Sequence, residues 1–162
     1  MAKDTPSMTK NKIKRCLSAI LDPLPSAIEI DQIWDYFDSF CAYCNIELER
    51  ANRDAHLDHV VPSSKGGSNS VYNHVLSCAR CNGDTKREEP WQSFLEEVTR
   101  GMSAYVREQR ASKIQTWLDN PANKKRWVSP EAKEVEQTVI TRALLDFETA
   151  VKSLRKLKEN EL

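Results

Sequence analysis

The sequence of 162 residues is poor in glycine, carries no net charge and lacks any long hydrophobic run. No apolar run approaches the ~20 residues needed to span a bilayer. Met1 is followed by Lys3 and Asp4, without the apolar core of a secretory signal. Four glycines alongside four tryptophans also argue against disorder. We therefore expect a soluble intracellular protein with one main folded domain and an appendage.

Basic and acidic side chains balance at 24 each, but they are unevenly distributed. Residues 1–20 hold five basic residues and one acidic residue, whereas residues 22–38 hold five acidic ones. Residues 151–158 hold four basic residues and no acidic one. Such runs are either solvated helix faces or basic surfaces that bind phosphates, and charge alone does not choose between them. In the second interpretation, the candidates for contacts with nucleic acid include Lys12, Lys14 and Arg15.

Four of the five cysteines form two Cys-x2-Cys pairs, Cys41 with Cys44 and Cys78 with Cys81. Disulfides do not persist in a reducing cytosol, and two such pairs supply the four thiolates of a tetrahedral zinc site. A redox pair or buried free thiols are the alternatives, but neither explains two pairs of matched spacing. We therefore predict a structural Zn²⁺ ion. The fifth cysteine, Cys16, is predicted to be a small buried hydrophobe on a helix face.

Hydrophobic periodicity predicts helices at both ends of the chain. The pattern favours a helix over 10–21, followed by a second helix capped by Ser26. Further on, one apolar segment runs over 94–105 and another over 114–118. A long helix is predicted from Pro130, a suitable first helical residue, to about position 158.

The middle of the chain has a different character, with short strands and turn residues. We predict strands over 56–61 and 73–77, a loop over 63–70 between them, and a helix that begins near 78–82. The predicted organisation is an N-terminal helical region over 1–40, a core over 41–90 and a C-terminal helical region over 91–162.

Short polar motifs follow one another in a specific order between and just after the cysteine pairs. In chain order they are Asp58-His59 followed by Pro62, Gly66-Gly67, Asn73, and Asn82 directly after Cys81. In this order and spacing the motifs resemble those of the HNH endonucleases, over about residues 41–90. No single motif would be specific, but the whole series is.

The resemblance implies an α+β fold that is mostly helical, with a small ββα-metal core, four cysteines in two zinc knuckles, and flanking helices. It implies that His59 is the general base that activates water, a role that suits an imidazole because its ordinary pKa is near neutral. By the same carry-over, Asp58 and Asn82 are ligands of a Mg²⁺ or Mn²⁺ ion, and Asn73 orients the imidazole. Asn82 stands where the motif's third letter is histidine, which favours a Mg²⁺-type ion over a transition metal.

Three further positions have two interpretations each. Lys86, one residue later than the lysine of the family pattern, contacts the DNA backbone or is solvated. His74 contacts a phosphate or is a bystander, as we expect for His56. Trp127, beside the basic run 124–126, stacks on a base or is buried.

The resemblance therefore predicts a DNA endonuclease that hydrolyses phosphodiester bonds and leaves a 5′-phosphate and a 3′-hydroxyl. The alternative is a non-catalytic zinc module that binds nucleic acid or protein. We favour the enzyme because a degenerate module has no reason to retain all four predicted active-site residues. Restriction, homing and phage DNA processing all use such domains, so we expect DNA as the partner, the bacterial cytoplasm as the location, and no membrane. A homodimer through the long C-terminal helix would allow both strands to be cut.

Overall fold

The computed structural model describes the backbone of residues 5–126 and 128–160, and the side chains of these residues except at 84, 124–126 and 160. The interpretations offered for Trp127 and for the basic run beside it lie outside the described residues. In chain order the elements are α1 (Pro6–Leu21), α2 (Ala27–Tyr36), β1 (Ala55–His59), β2 (His74–Cys78), a π-helical turn (Arg80–Thr85, the π turn), α3 (Trp91–Val98), α4 (Ala104–Leu118) and α5 (Pro130–Asn160).

The chain divides into two compact units, a central one of Leu24–Trp127 and a terminal one that combines Met1–Pro23 with Val128–Leu162. In the terminal unit α1 packs against α5, and Lys10 Nζ lies 2.9 Å from Glu148 Oε1. α1 begins earlier than predicted, because the Thr5 side chain accepts a hydrogen bond from the backbone N–H of Met8 and so caps the helix. The long helix predicted from Pro130 is confirmed.

Cys16 is exposed, so the prediction that it is a buried hydrophobe is wrong. Within the described residues, no side chain of α1 is buried. Ile20, which belongs to the same predicted apolar face, has 74% of its surface exposed. A helix that is covered by a single neighbour buries only a narrow stripe, so apolar spacing correctly indicates a helix here without predicting which residues are enclosed.

In the central unit, α2 begins with the cap predicted at Ser26, whose hydroxyl accepts a hydrogen bond from the Glu29 backbone N–H. The Glu29 carboxylate in turn accepts one from the Ser26 backbone N–H, which completes a capping box. β1 and β2 pair in an antiparallel ribbon, so the two predicted strands are confirmed with ends shifted by one or two residues. The hydrophobic core around the ribbon includes Ile33, Phe37, Leu76, Phe94 and Ile114.

The apolar segment predicted over 94–105 is two helices instead of one. α3 ends at Val98, and Gly101 adopts a left-handed φ of +88°. Ser103 then caps α4 by accepting a hydrogen bond from the backbone N–H of Val106. Apolar spacing continues across this break, but Met102 and Tyr105 are exposed because the chain changes direction there.

These elements confirm an α+β fold that is mostly helical, with two strands followed by a short helical turn and four clustered cysteines. Among the described residues, no helix is both long and apolar enough to cross a bilayer. The division into regions over 1–40, 41–90 and 91–162 stays a prediction.

Candidate active site and metal centre

The four cysteines of the two predicted pairs lie together, with all Sγ atoms within 4.8 Å of one another. Cys41 and Cys44 lie in a turn that Asn45 closes with a φ of 62°, while Cys78 ends β2 and Cys81 lies in the π turn. The Sγ atoms of Cys44 and Cys78 are 3.7 Å apart. The edge of a tetrahedron with Zn–S bonds of about 2.3 Å is about 3.8 Å long. The donor set and its spacing therefore fit a zinc ion.

The protonation of each thiol depends on its neighbours. Hydrogen bonds from Cys44 and Cys81 hold the pKa of Cys41 well below its usual range. The hydrogen bond to Cys41 raises the pKa of Cys44 to about 11, and hydrogen bonds to Cys41 and Cys44 raise the pKa of Cys81. The cluster thus accommodates one thiolate readily and opposes further ones unless a cation compensates their charge, as at a metal site.

Asp58 and His59 are the last two residues of β1, where Asp58 pairs with Val75 and His59 with His74. Neighbouring side chains on a strand point to opposite faces, so carboxylate and imidazole have different contacts. Within the described residues, no hydrogen bond joins the two groups. Burial raises the pKa of the Asp58 carboxyl, and the charge of His59 is among the effects that oppose this rise. Their convergence on one ion stays a prediction.

Two buried side chains hold one oxygen of the Asp58 carboxylate. The Tyr43 hydroxyl donates to Oδ2 at 2.7 Å, and Lys86 Nζ lies 2.9 Å from the same oxygen. Burial, together with the charge of Asp58, raises the pKa of Tyr43 well above its usual value, so the phenol is a neutral donor. Among the described residues, Oδ1 has no hydrogen-bond partner. A buried carboxylate oxygen without a partner fits a hard divalent cation.

The structure contradicts both interpretations of Lys86, namely contact with the DNA backbone and exposure to solvent. It is not solvated, because its side chain is 0% exposed. Nor is its ammonium free for the DNA backbone, because it also donates to the His59 carbonyl oxygen at 2.9 Å. The Lys86 backbone N–H lies 3.4 Å from the Cys81 carbonyl oxygen, five residues back. The wider π turn thus absorbs the extra residue that separates this lysine from the family pattern.

The imidazole of His59 is held by a residue that the motif did not include. Its Nε2 lies 2.8 Å from Oδ1 of Asn69. Because an amide oxygen can only accept, Nε2 carries the proton and Nδ1 is the atom that can accept one. Nδ1 makes no hydrogen bond in the part of the chain that the structure describes. The His59 residue as a whole is half-buried.

His74 packs directly against His59, with ring centroids 4.1 Å apart. It is 2% exposed, and its Nδ1 lies 2.9 Å from the Ser70 carbonyl oxygen. Burial, with the charge of His59 adding to it, lowers the pKa of His74 to about 4. The predicted phosphate contact is therefore contradicted, because the ring is buried and neutral. Trp117 Nε1 donates to the His74 carbonyl oxygen at 2.8 Å, so α4 supports this position.

Asn73 holds the loop after β1 instead of touching the imidazole. Its Oδ1 accepts from the Val61 backbone N–H at 2.9 Å, and its Nδ2 donates to the carbonyl oxygens of Val61 and Ser68 at 3.0 and 2.8 Å. We predicted that Asn73 orients the imidazole, but the hydrogen bond to the ring is made by Asn69. Because Asn73 fixes the loop that carries Asn69, any effect on the base is indirect.

Asn82 is half-buried in the π turn, which contacts both strands. Its side chain makes no hydrogen bond to any other described residue, so its amide oxygen is available to a cation. Its predicted role as a ligand together with Asp58 stays a prediction. Contacts with nucleic acid also stay a prediction for three residues of α1, all of them exposed: Lys12, Lys14 and Arg15.

Sequence reasoning missed Tyr43 and Asn69. Tyr43 reaches Asp58 because the first cysteine turn is fixed to β2, where the Ala42 backbone N–H donates to the Leu76 carbonyl oxygen at 2.8 Å. No sequence signal predicts that long-range contact. Asn69 was more accessible to prediction, because an amide in the loop after a candidate histidine is a natural partner for a ring nitrogen.

An antiparallel ribbon followed by a helical turn, with cysteines clustered at that turn and a histidine at the strand end, defines a ββα-metal domain. Residues 41–92 match the family model for HNH endonuclease. The match confirms the predicted family for this segment, which contains all four clustered cysteines and every residue of the candidate active site. A search of curated proteins finds no match for the chain.

Proposed function

We propose that the protein is a metal-dependent DNA endonuclease that hydrolyses phosphodiester bonds. The proposal depends above all on His59, whose Nε2 is bound to Asn69 while its Nδ1 can accept a proton. An imidazole held in one tautomer suits a general base, because the atom that takes the proton has a defined position. The match of residues 41–92 to HNH endonuclease supports the same assignment.

Asp58 and Asn82 would hold the divalent cation, Asp58 through its unpartnered Oδ1. When bound, Mg²⁺ or Mn²⁺ would neutralise charge on the scissile phosphate and on the leaving oxygen. His59 takes a proton from the attacking water at Nδ1. Its Nε2–H meanwhile keeps its hydrogen bond to the amide oxygen of Asn69. The products implied by the family are a 5′-phosphate and a 3′-hydroxyl.

The zinc ion has a structural role in this proposal. Cys81 precedes Asn82 directly, so a metal held by the four thiolates fixes the start of the π turn and the residues that follow in it. A small site without a large core of its own needs such support to keep its geometry.

DNA is the proposed partner, in the bacterial cytoplasm, with the exposed basic residues of α1 as further contacts. One active site cuts one strand, so a single copy nicks and a homodimer cuts both. Several exposed apolar side chains on the C-terminal helix support a homodimer: Val135, Val139, Leu145, Leu154 and Leu157. Cleavage of unmethylated but not methylated plasmid would assign the protein to restriction rather than to homing or phage DNA processing.

The test is digestion of supercoiled plasmid with Mg²⁺ or Mn²⁺. We expect nicking by the zinc-loaded protein and a loss of at least about a hundredfold in His59→Ala, because general-base catalysis contributes about 10² to 10⁴. His56→Ala is the matched control, because it removes another histidine of β1 and should retain activity.

Equal zinc content and circular dichroism in the two variants would show that only the chemistry differs. Undiminished cleavage by His59→Ala would refute the assignment of the base. If the wild-type protein binds DNA but cleaves none with any divalent ion, the non-catalytic zinc module would be the better description.

A further inference from the structure

Lys86 and Asp58 form a buried ion pair beside the proposed cation site. Lys86 Nζ lies 2.9 Å from Asp58 Oδ2, and the two side chains are 0% and 7% exposed. Because water is excluded on both sides, the two charges compensate each other strongly. The Tyr43 hydroxyl occupies the same oxygen, which leaves Oδ1 as the carboxylate atom open to a ligand.

The two proposed ligands of the ion, together with the Lys86 ammonium, therefore bring almost no net charge. The carboxylate of Asp58 is balanced by the ammonium of Lys86, and Asn82 is neutral. Among the described residues, no other side chain forms a salt bridge with Asp58 or Lys86. A divalent cation on Oδ1 would also be repelled by the ammonium on the other oxygen of the same carboxylate.

The negative charge that the cation needs, and that its protein ligands do not supply, is present on the substrate. A DNA phosphate at the site supplies one, and Mg²⁺-type ions are commonly held by one or two protein ligands together with substrate phosphates. We propose that Lys86 makes cation binding depend on the substrate: the free protein binds Mg²⁺ or Mn²⁺ weakly, and cation and DNA bind cooperatively. This inference rests on the proposed function, since it takes DNA as the ligand.

The π turn directs the Lys86 side chain to the Asp58 carboxylate. The π turn adds a residue between Asn82 and Lys86, and Lys86 still reaches both the carboxylate and the His59 carbonyl oxygen. The ammonium thus links the end of β1 to the turn that carries Asn82. Lys86 is a positioning residue in this proposal, because it acts through Asp58 and does not touch the substrate.

The experiment measures Mn²⁺ binding to the zinc-loaded full-length protein by electron paramagnetic resonance, with and without a DNA duplex. The His59→Ala background keeps the DNA uncut. We expect Mn²⁺ to bind at least about tenfold more tightly with DNA present, and DNA to bind more tightly by the same factor with Mn²⁺ present, because the coupling is reciprocal. Equal Mn²⁺ affinity with and without DNA would overturn the inference, and this comparison requires no change at Lys86.

Lys86→Met removes the compensating charge. We expect it to bind Mn²⁺ about tenfold or more tightly without DNA and to couple less to DNA, although its cleavage rate falls. A purely structural lysine would instead weaken both Mn²⁺ binding and cleavage. Lys86→Arg should keep the weak binding of the wild-type protein.

Lys113→Met is the matched control, because Lys113 also pairs with an aspartate, Asp38, at 2.6 Å but at the surface. It should leave Mn²⁺ affinity unchanged. Failure of the proposed function is seen separately, as absence of plasmid cleavage by the wild-type protein. Failure of this inference is seen only in the binding measurements, as an Mn²⁺ affinity that DNA does not change.

Discussion

Gly67 lies where the loop after β1 folds back onto the residues that follow the strand. A Cβ atom there would lie 1.8 Å from the Val61 carbonyl oxygen and 2.9 Å from Asn73 Nδ2. The carbonyl cannot move away without breaking the hydrogen bond that it accepts from Asn73. At the neighbouring Gly66, φ is +84° but no atom lies within 4 Å of the corresponding position.

These two glycines give a matched pair of substitutions. We expect Gly67→Ala to lower the free energy of unfolding by about 3 kcal/mol or more, because a backbone clash cannot be relieved by a rotamer change. Gly66→Ala should cost only about 1 kcal/mol, from the left-handed φ alone. Urea unfolding of both variants measures the difference, and equal losses would contradict the close approach at Gly67.

His74 gives the folded protein a dependence on pH. Its pKa is about 4 in the folded protein against 6.5 ordinarily, so the unfolded chain binds a proton where the folded one does not. Stability is therefore lost as the pH falls from about 6.5 towards 4, by up to about 3 kcal/mol. His74→Leu removes the group that takes up a proton on unfolding. The free energy of unfolding of this variant should therefore approach or exceed the wild-type value at about pH 5. A difference between the two proteins that is constant with pH would contradict the assignment.

At the scale of single residues, the sequence predicted which residues belong to the site better than it predicted their side-chain contacts. Four cysteines at matched spacing predicted their own cluster, because the ligand geometry is local to two short turns. The contacts of Asn73 and Lys86 were not predictable, because they depend on how a loop and a widened turn direct atoms across the site. Spacing places a residue on an element, but the direction of its side chain is set by packing.

The π turn shows how a helical element accommodates one additional residue. Arg80–Thr85 has one residue more than an α-helical path would need, and Gly83 within it is exposed, with no atom within 4 Å of the position that a Cβ would occupy. The extra length is therefore taken up towards solvent, while Cys81 and Lys86 at either end of the turn are buried. A single insertion in a helix is tolerated in this way as a π-helical turn.

Deletion of Gly83 tests this interpretation. The shortened turn should become α-helical and keep the ion pair of Lys86 with Asp58, so the free energy of unfolding should stay within about 1 kcal/mol of the wild-type value. Zinc content should be unchanged. Gly83→Ala, which keeps the length, is the control. Loss of zinc or of cooperative unfolding in the deletion variant alone would show that the extra residue is required.

Two helix starts were predictable because the residue that begins the helix is recognisable in the sequence. Ser26 and Pro130 begin helices for local reasons that the sequence displays, a capping hydroxyl and a residue suited to the first turn. The break between α3 and α4 was missed because apolar spacing continues through it. Only the left-handed backbone at Gly101 and the cap at Ser103 reveal that the helix direction changes there.

For the whole molecule, the central unit should depend on zinc. Its two strands form a single small ribbon, and Cys78 joins one strand to the metal cluster. All four tryptophans fall within 24–127, so tryptophan fluorescence reports on the central unit. We expect a zinc chelator, or Cys78→Ser, to shift this fluorescence towards that of the unfolded chain, because binding free energy at such sites is folding free energy. A zinc-free Cys78→Ser protein with native fluorescence and activity would contradict the structural role of zinc.

The terminal unit is assembled from the two ends of the chain, which has a consequence for the molecule after metal loss. While α1 and α5 stay paired, the segment between them is a closed loop and not a free tail. Closing a chain at its ends restricts the conformations open to it when unfolded. Refolding of the central unit is then a search within a tethered polypeptide, so it should be faster than in a chain whose two ends are free.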